Sequence, residues 1–114
     1  MYRYRAFGFN IESEFEIAQM LPAEFSDDRC DVHIRYGEVS ADMIKDPLQT
    51  YLDARFGIDE MWSNLDIAEI YVGHGRDIIV KLVPGREEEE GLLQAYITGL
   101  AFGAIMHQRK QIPI

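Results

Sequence analysis

Cysteine is nearly missing from this chain of 114 residues: Cys30 stands alone, which excludes an internal disulfide and any zinc site built from several cysteines. No general-base histidine neighbours it in a recognisable motif, so it reads as a small half-buried thiol beside a strand. Positive charge is scarce as well. Eleven Lys and Arg against twenty Asp and Glu leave a formal charge of −9, and so acidic a surface repels phosphate backbones and anionic lipid. The sequence therefore predicts neither nucleic-acid binding nor adsorption to a membrane. Its close cationic pairs, Arg3/Arg5 and Arg109/Lys110, read as solvated surface.

Long apolar runs are lacking too. The 12 residues from Ala95 to Met106, in which Thr98 is the polar exception, are too few to cross a bilayer. The N-terminal residues alternate polar and apolar and show no signal-peptide centre, so a cytoplasmic location is expected. Phosphate-binding chemistry is missing in the same way, since no glycine-rich loop carries the Lys and Ser/Thr of a P-loop. Gly73-His74-Gly75 is a lone Gly-x-Gly that reads as a turn, and His33, His74 and His107 have no metal-ligand spacing. Carboxylates are many, but no pair stands in an apolar setting that would separate two pKa values for acid–base work. No catalytic, cofactor-binding or metal-ligating residue is assigned.

What remains is an ordinary globular composition, 47% hydrophobic and 27% charged. A chain of this length is one domain and buries roughly 65% of the surface that its unfolded form exposes. The first ten residues alternate as a strand, and Val32, Ile34 and Tyr36 mark a second one ended by Gly37. Between them, residues 13–21 fit a short helix or an extended stretch, and Asp27-Asp28-Arg29 is turn material. After Asp46-Pro47, the spacing of Leu48, Tyr51, Leu52 and Phe56 predicts a short helix stopped at Gly57. Met61-Trp62-Ser63 then supplies a strand, and residues 67–72 and 77–83 form a hairpin around Gly73-His74-Gly75-Arg76.

A helix is predicted over residues 87–109. Glu87, Glu88, Glu89 and Glu90 sit where its dipole favours negative charge, and His107, Arg109 and Lys110 where it favours cations. Leu93, Ile97, Leu100, Ala101, Ala104 and Ile105 line one face at 3.6-residue spacing. The opposite side carries Gly99, Phe102, Gly103 and Met106, and an all-round apolar helix must be covered on both sides. Those four residues are the expected interface with a kinase core or a second copy of the chain; the alternative is plain core packing inside this domain. The expected fold is α+β: a small, mostly antiparallel sheet with a long C-terminal helix packed on it. The final Gln111-Ile112-Pro113-Ile114 reads as the opening of a further strand, which predicts a fragment or split module of a longer protein.

Four stretches carry a family resemblance: Tyr2-Arg3-Tyr4-Arg5-Ala6-Phe7-Gly8, Asp31-Val32-His33-Ile34-Arg35-Tyr36-Gly37, Gly75-Arg76-Asp77-Ile78-Ile79-Val80, and residues 99–109 ending in His107-Gln108-Arg109. In that order the chain resembles the N-terminal portion of HPr-kinase-like (HPr serine kinase-related) proteins, including those of lasso-peptide biosynthesis clusters. The likeness runs over nearly the whole chain and is loose between residues 38 and 64. It implies that residues 1–114 are the single N-terminal domain of such a protein. The P-loop and the magnesium-holding acids would lie in a longer parent, so ATP and Mg²⁺ are implied only there. The resemblance implies a non-catalytic scaffold, substrate-recognition or oligomerisation domain of a serine kinase acting on a peptide or protein. An exposed edge strand would take a substrate peptide by β-augmentation. The alternatives are a stand-alone partner of a separately encoded kinase or peptide-maturation enzyme, and a small independent enzyme whose site converges from scattered carboxylates and histidines.

Overall fold

The computed structural model describes residues 1–85 and 90–109. The expected acidic helix start at residues 87–89, the cation at residue 110 and the expected strand opening at 111–114 lie outside the described residues.

Nine strands among the described residues form one sheet: β1 (Tyr2–Ala6), β2 (Phe9–Ser13), β3 (Leu21–Pro22), β4 (Val32–Tyr36), β5 (Gln49–Thr50), β6 (Ala54–Phe56), β7 (Glu60–Asn64), β8 (Ala68–Gly73) and β9 (Asp77–Leu82). Their order across the sheet is β3-β1-β2-β4-β9-β8-β7-β6-β5. Pairing is antiparallel except where β4 lies parallel to both β2 and β9. The crossover from β4 to β9 thus carries the whole β5–β8 meander to one side. The expected α+β architecture, a mostly antiparallel sheet under a C-terminal helix, is what the chain adopts.

The first ten residues are a hairpin rather than a single strand. Ala6 pairs with Phe9, and the two-residue loop between them has positive φ at both positions, 56° at Phe7 and 81° at Gly8. A two-residue loop of that kind matches the twist of the strands it joins. Left-handed φ is strained for a phenylalanine. An aromatic stack offsets it, the Phe7 ring lying 4.9 Å from that of Phe102. Residues 14–20 are neither helix nor strand. Gln94, a buried residue of the C-terminal helix, holds them by accepting from the Ala18 N–H and donating to the Glu16 carbonyl, both at 3.0 Å.

Strand alternation sends Ile70, Val72, Ile78 and Val80 to the helix side and Trp62, Tyr71 and Ile79 to the other. On that other side Val39 and Ile44, from the segment between β4 and β5, close a smaller core. The helix side is covered by α1 (Glu90–Tyr96), a π-helical turn (Ile97–Ala101) and α2 (Phe102–Gln108), continuous along the chain.

The π turn changes which residues face the sheet. In an unbroken α-helix Phe102 lies about 140° around the axis from Ile97, on the outward side. An i→i+5 turn instead brings residues five apart onto one face. Ile97 and Phe102 are accordingly 0% and 1% exposed. Phe102 thus belongs to this chain's own core, not to an outward face, and Met106 is half-buried against the same core. Gly99 stays exposed and Gly103 half-buried, four residues apart on the side away from the sheet.

The expected helix after Pro47 does not form. Leu48, Tyr51, Leu52 and Phe56 have helical spacing, yet all four are exposed, and residues 49–56 make the β5–β6 hairpin. Its second strand pairs with β7, Arg55 opposite Trp62. An available sheet edge outcompetes a weak local helix preference.

Candidate functional site

The end of α2 is held to the sheet by Gln108 and by Arg109 just beyond it. Gln108 Nε2 donates to the Val72 carbonyl at 3.0 Å, and its Oε1 accepts from the Gly75 N–H at 2.8 Å. Arg109 donates to the Asp31 carbonyl at 2.9 Å and to the Gly75 carbonyl, with its guanidinium 4.8 Å from the centre of the Phe9 ring. Gly75 has φ +64°, and a Cβ there would come within 2.7 Å of Arg109 Cγ. Residues 2–8, 31–37, 75–80 and 99–109 therefore meet in space, with Phe7 on Phe102 and Arg109 bridging Asp31 and Gly75. They do so as structural contacts. Of the cations read as solvated surface, Arg5 is exposed, while Arg3 and Arg109 are half-buried and partnered, Arg3 by Glu12 and Asp27.

Beside this clamp, between the outward side of the helix and the β5–β7 side of the sheet, runs a groove of about 660 Å³. Gly99, Leu100, Gly103 and Ala104 form one wall, and Leu48, Phe56, Ile58 and Met61 the other. Glu60, His107 and Gln108 also line it. A Cβ added at Gly99 or Gly103 would meet nothing within 4 Å, so the helix backbone itself borders open space. The opposite rim is apolar and uncovered: Leu48 is 69% exposed and Ile58 82%. Single exposed leucines are ordinary, but several in one short segment beside a concave apolar wall mark an interaction surface.

Two carboxylate pairs stand close in the chain at the start of β7. Tyr71, 6% exposed, donates its hydroxyl to the Glu60 carboxylate, and His74 Nδ1 donates to Asp59 Oδ2 across 2.8 Å. Burial first, then the Glu60 bond, pushes the Tyr71 hydroxyl well above its ordinary value. It is a fixed donor, not a base. The hydrogen bond to Asp59 raises His74, which sits in the β8–β9 turn at φ 57°. Burial raises the Cys30 thiol, away from the thiolate that a nucleophile needs.

Among the described residues no three His, Cys, Asp or Glu side chains are grouped to hold a metal ion. His33 lies near Glu12, His74 pairs with Asp59, and His107 borders the groove. No described helix is long and apolar enough to cross a membrane.

Of the four expected interface residues, Gly99 and Gly103 border the groove, whereas Phe102 and Met106 pack inward. Leu48, Phe56 and Ile58 were missing from that expectation. Their signal, a cluster of large apolar residues in an irregular segment, resembled a helix face. No protein-family model, curated protein or solved structure matches the chain.

Proposed function

We propose that the chain is a non-catalytic, cytoplasmic recognition and scaffold domain, the N-terminal domain of an HPr-kinase-like, ATP-dependent serine kinase that acts on a peptide or protein. The observation that carries the recognition role is the open groove between Gly99/Gly103 and the exposed Leu48–Ile58 rim. Such a surface binds a partner. The kinase assignment is supported by the four resembling stretches, which Phe102, Gln108 and Arg109 knit into one folded unit.

Phosphoryl transfer rests on positioning groups that the family carries downstream of this region. The domain would hold the core or present its substrate. Mixing the chain with a separately produced HPr-kinase-like catalytic core tests this. Phosphate incorporation into the core's serine peptide is measured with core alone, chain alone and both together. The expected outcome is no transfer by the chain alone and faster transfer by the mixture. Transfer by the chain alone, or a core indifferent to the chain, overturns the proposal.

A further inference from the structure

At one end of the groove the β8–β9 turn ties its two walls together. His74 is fastened twice to the β6–β7 turn: its backbone N–H donates to the Asp59 carbonyl at 2.7 Å, and its ring stands 2.8 Å from Asp59 Oδ2. The next residue, Gly75, is fastened to the helix end by Gln108 and Arg109. Gly57, Ile58 and Glu60, on either side of Asp59, line one wall of the groove, and His107 and Gln108 line the other. Within the turn φ is 57° at His74 and 64° at Gly75. A left-handed φ is costly for histidine, so its place depends on what holds it.

One of these fastenings responds to pH. Backbone bonds and the Gln108 amide keep their protons across the neutral range, whereas an imidazole changes charge there. Protonated, His74 makes a charge-assisted bond to Asp59, which is stronger than the bond of a neutral ring. Its surroundings favour the charged form. The hydrogen bond to Asp59 raises its pKa first, and the charges of Asp59, Glu60 and Asp77 add to that against the opposing effect of burial. The neighbouring cations are Arg76 in the same turn and Arg109 at the helix end, the latter engaged with the Gly75 and Asp31 carbonyls. His107 stands one turn-facing residue before Gln108, and Tyr71, bound to Glu60, keeps its proton.

We infer that His74 and Asp59 form a pH-operated latch across the end of the groove, shut while His74 is protonated and releasing the wall of residues 57–60 from the helix end as the proton leaves. The raised pKa sets the direction: the latch is complete below the unfolded value near 6.5 and weakens as pH rises through the folded one. Both side chains are about half exposed, so the change is a graded loosening. The latch concerns the groove's walls and stands apart from the kinase assignment.

Amide hydrogen exchange followed by NMR tests it, with each rate expressed as protection relative to an unfolded peptide at the same pH. The His74 N–H, whose acceptor is the Asp59 carbonyl, reports the latch, and the Gly75 N–H, whose acceptor is Gln108, reports the helix side of the same turn. From about pH 6 to 8, His74 protection is expected to fall about threefold or more, with the midpoint of its own imidazole titration, while Gly75 protection holds. His74→Asn keeps a residue that tolerates left-handed φ but cannot take up the proton, and Asp59→Asn removes the carboxylate. Both sites are half-exposed and outside the core, and in each variant the fall at residue 74 is expected to vanish. Protection at His74 that is indifferent to pH in the wild type overturns the latch. So does an equal fall in either variant, or an equal fall at Gly75, which would mean that the whole turn loosens rather than one wall.

Discussion

Replacing Phe102 with alanine is expected to lower stability by about 3–5 kcal/mol. Phe102 is 1% exposed, and its ring stands 4.9 Å from Phe7 and 6.4 Å from Phe9. Truncation removes a fully buried ring and opens a cavity between the helix and the β1–β2 hairpin, and the sheet side of that cavity cannot move far. Of the loss, roughly 0.5–1.5 kcal/mol is the stack on Phe7. Phe7 is 46% exposed and sits in a strained turn, so Phe7→Ala alone costs little beyond that contact. Urea unfolding of the two single variants and the double variant, followed by the fluorescence of Trp62, measures the coupling directly. A loss of about 3 kcal/mol lowers the Tm by more than about 10 °C for a domain this small. Phe102→Asp, which buries an unpaired charge, is expected to prevent folding. A Phe102→Ala variant within about 1 kcal/mol of wild type, monomeric where wild type self-associates, would refute the inward placement and restore Phe102 to an outer face.

Gly75→Ala is expected to destabilise by about 1–3 kcal/mol through its left-handed φ and its clash with Arg109, whereas Gly99→Ala should not destabilise, since nothing fills the space before it and alanine favours a helix; thermal melts decide both. Asp59 raises the pKa of His74 in the folded chain, so the pair's contribution is complete below the unfolded value near 6.5 and is lost as pH rises through the raised one. The urea midpoint of wild type relative to Asp59→Asn should therefore fall as pH rises above about 6.5, by a small amount because both side chains are about half exposed. Tyr71→Phe leaves Glu60 without its hydroxyl donor and should cost about 1–3 kcal/mol; absorbance at high pH should show one tyrosine ionising well after the exposed ones.

Much of the sheet was legible. Residues 67–72 and 77–83 are β-branched runs around a glycine-bearing loop, and they pair as β8 and β9; Val32, Ile34 and Tyr36 lie within β4 as their alternation required. The β1–β2 turn was not legible because Phe7-Gly8 lacks the Asn-Gly or Asp-Gly signal of a two-residue hairpin. Leu48, Tyr51, Leu52 and Phe56 misled because apolar spacing reports burial only when the residues are buried, and here all four face outward. The π turn is likewise invisible to a period of 3.6, and it moved Phe102 from the expected interface into the core. Gly99 and Gly103 were legible as a smooth strip, but the wall opposite them comes from residues about forty positions earlier. Only the folded chain brings the two together.

Hydrogen-exchange mass spectrometry of the chain with and without an HPr-kinase-like catalytic core tests the central claim, that this domain acts by binding through the groove, most directly. The account predicts slower exchange in residues 48–61 and 99–108, which border the groove, and no change in residues 27–37. Protection confined to residues 27–37, or an exchange pattern that the core leaves unaltered, would contradict it.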